Sequence, residues 1–257
     1  MGRLFGFIYG IAAYFIFFGS FLYTIGFIGN IVVPRGIDGG AEGPVVMAVI
    51  VNLVVLSVFA IQHSVMARPG FKRVWTKIIP QAVERSTYVL MSSLALVLIL
   101  VFWQPITPVI WDQSGTTLGY VLLTVHWVGW LIVLTSTFMI NHFDLFGLKQ
   151  VYVNLKKTDF RETGFRKVLF YRLVRHPIMA GFLIAFWATP TMTAGHLLFT
   201  VVMSAYIYIA VKHFEEKDLV DAIGDEYVAY QEEVGPFFPG IGKSAPRSRQ
   251  LEARKSA

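Results

Sequence analysis

The sequence predicts an all-α integral membrane protein with four full transmembrane helices and a C-terminal helical hairpin, which together give five to six crossings. Three observations support this prediction: the composition, the lengths of the apolar runs and the positions of the basic residues. Of the 257 residues, 55% are hydrophobic and 15% are charged, whereas a soluble domain carries about a quarter charged residues. The mean hydropathy of +0.60 agrees with a chain whose main solvent is lipid.

Four apolar runs are long enough, or nearly long enough, to cross a bilayer, which takes about 20 residues of helix. They cover residues 4–33, 44–65, 87–103 and 118–140. The first run is expected to be a retained helix, because a signal peptide has a much shorter apolar core. The third run is the shortest and is expected to start earlier.

Two shorter apolar runs, 178–190 and 197–211, follow and are predicted to form the hairpin, with its turn at 193–195. At about 1.5 Å of rise per residue, each run measures roughly 20 Å, against about 30 Å for the hydrocarbon core. Two alternatives follow. Either the hairpin stops short of the far face, or its first arm begins upstream near Lys167 and bends at Pro177.

The Lys and Arg residues test this topology, because cytoplasmic loops are enriched in them. All 22 except Arg35 fall on one side of the predicted bundle, with Arg3 at the N-terminus and the others in segments 68–85, 149–175 and 212–255. This pattern predicts cytoplasmic N- and C-termini, in the inner membrane of a bacterium. The formal charge of +6 is explained by topology, so we expect the bilayer, and no nucleic acid, as a partner.

The chain divides into three predicted regions. Residues 1–140 form the N-terminal transmembrane helices, 141–239 carry cytoplasmic segments and the hairpin, and 240–257 form a basic, disordered tail without apolar periodicity. The absence of cysteine excludes disulfides, thiolate metal sites and cysteine nucleophiles. We expect no metal site, because no pair of histidines has the i,i+4 spacing of ligands beside a carboxylate.

The densest group of ionisable residues next to the predicted membrane lies around the hairpin. The two arms bring Arg175 and His176 to the same membrane face as Glu215 and Glu216. Such groups are expected to pair, because a lone charge at a bilayer is costly. Structural ion pairs are the general interpretation of this pattern, and a binding site is the alternative.

The order and spacing of these residues resemble a known signature. The Arg-His-Pro tripeptide at 175–177, the Glu pair at 215–216 and the Gly-x-x-Tyr-x-x-Tyr segment at 224–230 resemble the C-terminal part of the isoprenylcysteine carboxyl methyltransferase and phospholipid methyltransferase superfamily. The resemblance covers residues 141–239. Many members carry Tyr two residues after the proline, where this chain has Met179.

Four further segments narrow the resemblance to the methanethiol S-methyltransferase branch. They are Tyr-x-x-Gly-Phe at 23–27, Gln-His-Ser at 62–64, Glu-Arg-Ser-Thr-Tyr at 84–88 and Asn-His-Phe-Asp-Leu-Phe-Gly at 141–147. The branch resemblance implies an enzyme that uses S-adenosylmethionine to methylate a small thiol, methanethiol, to dimethyl sulfide, with S-adenosylhomocysteine as the second product. Two alternatives stay open: a methyltransferase for a prenylcysteine or lipid substrate, and a non-enzymatic membrane accessory protein linked to nitrite and nitric oxide.

The resemblance implies that the cofactor site lies around the hairpin. S-adenosylmethionine carries a carboxylate, an ammonium group, a sulfonium and an adenine, so its site needs cations, anions and aromatic surface. Arg175 and His176 suit the carboxylate, and Glu215 and Glu216 suit the ammonium group or the ribose hydroxyls. The candidates for ribose and adenine are Gln150, Tyr171 and Tyr227.

The acceptor side needs a group that takes a proton, because the thiolate and not the thiol is the nucleophile. Asp144 is the first candidate and His142 the second, since both follow the fourth run. A structural alternative for Asp144 is to cap the next helix. Tyr88 is a third catalytic candidate, and the substrate-binding candidates are Tyr23, His63 and Tyr230.

Overall fold

The computed structural model describes residues 2–160 and 164–244, and most of them are helical. Among these residues, five helices are long and apolar enough to cross a membrane, which confirms the predicted fold class. Most of the predicted basic tail lies outside the described residues. The four predicted full spans are α1 (Gly2–Gly29), α2 (Val45–Ala67), α4 (Gln81–Phe102) and α5 (Thr117–Ile140), with a short α3 (Pro69–Trp75) after α2.

The C-terminal hairpin has two unequal arms. Its first arm, α8, covers only Pro177–Trp187. Its second arm begins as α9 (Ala194–Ala210), passes through a π-helical turn at Val211–Glu215 and continues as α10 (Glu216–Ile223). This continuous second arm is the fifth candidate span, so the prediction of two short arms is wrong for the second one.

The first arm settles the choice between the two hairpin alternatives. At about 1.5 Å per residue, α8 measures roughly 16 Å and is too short to cross the hydrocarbon core. It begins at Pro177, because proline suits the first position of a helix and lacks the N–H that would continue one from upstream. Lys167 lies before a separate 3₁₀ turn at Leu169–Arg172, so an arm that starts near Lys167 is wrong.

The short arm is held against α5 by two glycines. A Cβ placed on Gly129 would lie 2.8 Å from the carbonyl oxygen of Gly181, and the reverse substitution would place a Cβ 2.8 Å from the carbonyl oxygen of Gly129. Small residues allow such close backbone contact between membrane helices. Packing on α5 therefore positions the N-terminus of α8, where the Arg-His-Pro tripeptide lies.

The turn of the hairpin is fixed by a small antiparallel sheet that the sequence does not predict. It pairs β1 (Val109–Asp112), which precedes α5, with β2 (Thr191–Thr193), which precedes α9. The amide of Ala194 also donates to the carbonyl of Pro108 over 2.8 Å. The sheet thus joins the α4–α5 connection to the hairpin turn.

Arg35, the exception to the charge pattern, lies at the same end of the bundle as this sheet. Its guanidinium donates to the carbonyl oxygens of Val101, over 3.0 Å, and of Trp103. These carbonyls belong to the C-terminal end of α4, where a cation is favoured. The indole of Trp103 in turn donates to the carbonyl of Ile37 over 2.9 Å, so Arg35 holds its loop against α4.

The other end of the bundle, called here the basic end, is where the predicted basic segments meet. Arg68, after α2, pairs with Asp218 of α10 over 2.9 Å, and Arg85 of α4 donates to the carbonyl of Leu145 over 2.7 Å. Two short helices cross this end: α6 (His142–Leu145) and α7 (Leu148–Lys156).

A glycine between α6 and α7 allows this crossing. Gly147 has a φ of +85°, and a Cβ there would lie 2.7 Å from the amide nitrogen of Ser86. The turn therefore needs glycine both for its backbone conformation and for its close approach to α4. It sets α7 against α1 and α4.

Candidate active site

The Arg-His-Pro segment is held by main-chain bonds to the segment that follows α11 (Asp225–Glu233). The amide of Arg175 donates to the carbonyl of Gly235 over 2.9 Å, and the amide of His176 donates to the carbonyl of Pro236 over 3.0 Å. A Cβ at Gly235 would clash with the carbonyl oxygen of Ile241, so the turn that follows Gly235 requires glycine. The two chain segments together fix Arg175 and His176 at the basic end.

The guanidinium of Arg175 bonds mainly to other groups of the protein. Its Nε donates to Oε1 of Glu216 over 2.6 Å, and Nη2 lies 2.5 Å from the same oxygen. Nη1 donates to the carbonyls of Gln231, over 3.1 Å, and of Val234. Because Arg175 is only 5% exposed, it acts as a joint between the hairpin and the C-terminal segment.

His176 lies between two carboxylates. Its Nε2 is 3.2 Å from Oε1 of Glu216, and its Nδ1 is 3.5 Å from Oε1 of Glu215. Burial alone would lower the pKa of His176, but the two carboxylates outweigh burial and raise that pKa to about 9. His176 is therefore an imidazolium at neutral pH.

The two neighbouring glutamates differ in how far the protein uses them. Glu216 accepts from Arg175 and His176, and its side chain is 8% exposed. The side chain of Glu215 is 42% exposed, although it lies beside the buried His176. Glu215 is the last residue of the π-helical turn, a feature that is frequent at functional sites. It is the carboxylate with room for a ligand.

Three tyrosines surround this ion-pair cluster. The hydroxyl of Tyr230 donates to the carbonyl of Tyr171, whereas the hydroxyls of Tyr171 and Tyr227 are buried and have no hydrogen-bond partner among the described residues. Burial raises the pKa of all three phenols, to about 12 for Tyr230, so they are neutral donors. A buried polar group without a partner is costly, so these two hydroxyls lack a partner that a bound ligand could supply.

A second polar group joins α2 and α4. The hydroxyl of Tyr88 lies 2.9 Å from Nε2 of His63, and Oγ of Ser92 lies 3.2 Å from Nδ1. The carboxylate of Glu215 acts electrostatically on His63 and Tyr88 as well as on His176. Glu215 is therefore within electrostatic reach of both groups.

Asp144 and Gln150 form a third group, which is closed mainly by near neighbours in the chain. The carboxylate of Asp144 accepts from Nζ of Lys149 over 3.0 Å and from Nε2 of Gln150 over 2.8 Å. Asn141 caps α6 through the amide of Asp144, whereas α7 begins after Gly147 without a side-chain cap, so the alternative that Asp144 caps the next helix is wrong. Oε1 of Gln150 is buried without a partner among the described residues.

His142 lies in an aromatic cluster between α1 and α5. Its Nε2 is 2.8 Å from the hydroxyl of Tyr14, and its Nδ1 is 2.8 Å from the hydroxyl of Thr137. The ring stacks on Phe138 with centroids 4.3 Å apart, and burial lowers its pKa. Both ring nitrogens are thus engaged.

Tyr23 is placed far from the other predicted substrate residues. It lies near the end of α1 that faces the Arg35 loop, and its hydroxyl donates to the carbonyl of Arg35 over 3.3 Å. It also lines an apolar surface groove with Trp127. The structure does not bring Tyr23 together with His63 and Tyr88 at the basic end.

Sequence reasoning missed Ser92, Ser64 and Tyr206 of this region. Oγ of Ser64 lies 3.2 Å from the hydroxyl of Tyr206, next to the His63 group. Ser92 follows Tyr88 by four residues and therefore shares its helix face. Two polar residues on one face of an otherwise apolar span are a signal for a polar interior, and this signal could have found Ser92.

Comparisons with known proteins identify a family and several relatives of this chain. The chain matches the model of the family described as NnrU protein over residues 51–229. It is 53% identical to the methanethiol S-methyltransferase of Mycobacterium tuberculosis, over 93% of this chain and 98% of that protein. It is 52% identical to methanethiol S-methyltransferase 2 of Bradyrhizobium diazoefficiens (91% and 90% covered) and 47% identical to the methanethiol S-methyltransferase of a Pseudomonas species (93% and 91%).

No solved structure matches this chain. The relatives above cover nearly the whole chain, and the family model spans both His63 and the Arg175–Glu216 pair. The resemblance in the sequence motifs is thereby confirmed. The chain belongs to the NnrU protein family and, within it, to the methanethiol S-methyltransferases, so it is a membrane-embedded methyltransferase.

Proposed function

We propose that this chain transfers a methyl group from S-adenosylmethionine to methanethiol and releases dimethyl sulfide and S-adenosylhomocysteine. One observation supports this proposal most strongly. The accessible carboxylate of Glu215 lies beside the imidazolium of His176, and two tyrosine hydroxyls of the same cluster are buried without partners among the described residues. The relatives of this chain, named for methanethiol methylation, support the choice of acceptor.

The residues of the hairpin cluster fit S-adenosylmethionine. The imidazolium of His176 suits the carboxylate of the methionine part, and Glu215 suits its ammonium group, because charge-assisted hydrogen bonds are the strong ones. The hydroxyls of Tyr171 and Tyr227 suit the ribose or the adenine. When bound, the cofactor supplies the electrophilic methyl group. Glu216 and Arg175 hold His176 and the C-terminal segment in place.

The membrane side of Glu215 suits a small apolar thiol. Tyr88 packs with Met66 and Val89, and the partly buried Phe17 and Phe146 cover this group. The rings of Phe17 and Phe146 are stacked with centroids 4.0 Å apart. Such walls exclude water, which strengthens electrostatic interactions at the reacting atoms, and they align the sulfur opposite the sulfonium.

The position of α2 supports a small methyl acceptor over a lipid. His63 and Ser64 lie on α2, and α2 packs against both α4 and α9. Helix α2 therefore closes the side of the hairpin cluster through which a lipid chain would approach. We also propose that the basic end faces the cytoplasm of a bacterium, because the Lys and Arg residues concentrate there.

Headspace analysis tests the proposal directly. The purified protein in nanodiscs is mixed with S-adenosylmethionine labelled in its methyl group and with methanethiol. We expect singly labelled dimethyl sulfide, and none above a protein-free blank would contradict the proposal. Labelled prenylcysteine methyl ester in a parallel assay would favour the lipid alternative. A haem absorption band without S-adenosylhomocysteine binding would favour the non-enzymatic one.

A further inference from the structure

We propose that His63, on α2, takes the proton from the thiol, while Ser92 orients its ring and Glu215 faces it from the π-helical turn. The inference rests on the proposed function. An alkyl thiol is mostly protonated at neutral pH, and its thiolate is the nucleophile. The site therefore needs a neutral base within hydrogen-bond reach of the sulfur.

Four of the six histidines are buried and are excluded as the base. His126 is 3% exposed, with Nδ1 2.8 Å from the carbonyl of Ala185 and Nε2 accepting from Trp130. His142 is 6% exposed and bonded at both nitrogens. His196 is fully buried near the hairpin turn, away from the basic end. His176 is an imidazolium and has no lone pair to accept a proton.

The remaining two histidines are His63 and His213. His213 is exposed on the surface of the π-helical turn, whereas His63 is half-buried inside the bundle. His63 therefore combines accessible surface with enclosure among helices. Asp144 is the competing carboxylate, but Lys149 and Gln150 bond its two oxygens.

The ring of His63 has a nitrogen open to a ligand. The hydroxyl of Tyr88 lies 2.9 Å from Nε2 and 3.2 Å from Nδ1. An oxygen nearly equidistant from both nitrogens cannot lie along the lone-pair axis of either, because these axes diverge. Oγ of Ser92 lies 3.2 Å from Nδ1 and suits the tautomer with the proton on Nδ1. The lone pair of Nε2 is then left for the thiol.

Charged groups from three elements face His63. They are Glu215 of the π-helical turn, Arg85 of α4 and Arg68, which follows α2. The carboxylate of Glu215 stabilises the imidazolium that follows, because opposite charges attract strongly where water is excluded.

The proton transfer balances simply. The S–H bond of the thiol breaks, the proton binds Nε2 of His63, and the electron pair stays on sulfur as the thiolate. The thiolate sulfur then forms a bond to the methyl carbon as the bond from that carbon to the sulfonium breaks. The imidazolium returns its proton to water after the neutral thioether leaves.

A pH series on His63→Asn tests the proposal. At pH 7 and saturating S-adenosylmethionine, we expect kcat/KM for methanethiol to fall about 100-fold relative to wild type. The difference in kcat/KM between wild type and variant should become smaller as pH rises from 7 to 9, because a growing fraction of the thiol is then ionised and needs no base. The ratio to wild type at each pH cancels effects of pH on other groups.

Three outcomes would overturn the inference. One is an unchanged rate in His63→Asn, and another is a loss of equal size at every pH, which indicates a structural role. The third is a narrowing deficit in Asp144→Asn or His142→Asn instead. Calorimetry with S-adenosylhomocysteine checks that the variant still folds and binds within about twofold of wild type.

A milder variant covers the case in which His63→Asn does not fold. Ser92→Ala keeps the histidine but removes the hydroxyl that orients it, so we expect a smaller loss, about tenfold, with the same narrowing at high pH. A pH-independent loss would again contradict the inference. If the wild-type protein itself makes no dimethyl sulfide, the proposed function has failed. If the wild-type protein is active and both variants match its kcat/KM, only the role of His63 has failed.

Discussion

Two clusters of charged side chains lie at the basic end, and they are built differently. In the α6–α7 cluster, Asp144 is bonded by Lys149 and Gln150, five and six residues along the chain. In the hairpin cluster, Arg175 and Glu216 lie 41 residues apart in sequence. The first cluster stabilises a local turn. The second is assembled by the whole fold and leaves Glu215 accessible, which is what a ligand site requires.

The largest expected effect comes from breaking the buried pair of the hairpin cluster. Arg175→Met leaves Glu216 buried without its main partner, which costs about 3–5 kcal/mol of unfolding free energy. Chemical unfolding in detergent measures this. The control is Lys167→Met, which breaks the more exposed pair with Glu233 (side chains 33% and 60% exposed) and should cost less than about 1 kcal/mol. Equal losses would contradict the role of Arg175 as a joint.

Glu216→Ala is therefore a test of folding more than of binding. The sequence resemblance implies Glu216 as a cofactor residue, but the structure shows its carboxylate occupied by Arg175 and His176. Glu215 is the sharper choice for a binding test.

Glu215→Gln should weaken binding without loss of folding. A hydrogen bond to a charged group contributes about 1.5–3 kcal/mol, so we expect S-adenosylhomocysteine affinity to fall roughly 10- to 100-fold in calorimetry. Asp144→Asn, in the other cluster, should change that affinity less than about twofold. Glu226→Gln, an exposed acid on α11, controls for the loss of one charge. A larger loss in Asp144→Asn than in Glu215→Gln would reverse the comparison.

The pKa of His176 predicts a pH dependence of the hairpin cluster. Folding raises this pKa from its ordinary 6.5 to about 9, so the stabilisation from the imidazolium is fully present below pH 6.5 and is lost as pH rises through about 9. Unfolding temperatures from pH 6 to 10 should therefore show an advantage of wild type over His176→Gln that disappears towards pH 10. An advantage that grows with pH would contradict the assignment.

The smallest effect concerns Tyr227, one of the two tyrosines whose hydroxyls have no partner among the described residues. Tyr227→Phe removes a hydroxyl that has no partner among the described residues, so stability should not fall, whereas S-adenosylhomocysteine affinity should fall by about 0.5–1.5 kcal/mol. Tyr230→Phe is the matched control, because its hydroxyl donates to the carbonyl of Tyr171. It should lower stability instead. Unchanged affinity in Tyr227→Phe would remove this tyrosine from the site.

The four long spans could be predicted because length and hydropathy are local properties of the sequence. The second arm of the hairpin could not. Its apolar run ends at Val211, where charged residues begin, yet the helix continues to Ile223. Glu215 and Glu216 can lie in that helix because His176 and Arg175 pair with them, and such pairing is a tertiary property.

The pairing of the hairpin residues followed from the predicted hairpin itself, which brings its two ends together. The bonds of Asp144 to Lys149 and Gln150 could not be predicted in the same way, because closeness in sequence does not show which side chains will bond. Tyr23 was grouped with His63 on the basis of sequence motifs. Tyr14 contacts His142 at the basic end, and Tyr23 lies nine residues further along α1, or roughly 13 Å, towards the Arg35 loop. A motif match carries no information about depth in the membrane.

A structure of the protein with S-adenosylhomocysteine bound would show whether the hairpin cluster is the cofactor site. We expect the amino group of the ligand within hydrogen-bond distance of Glu215, its carboxylate at His176, and its sulfur on the side that faces His63. Density for the ligand at the Asp144–Gln150 cluster, or anywhere away from Glu215, would contradict this assignment.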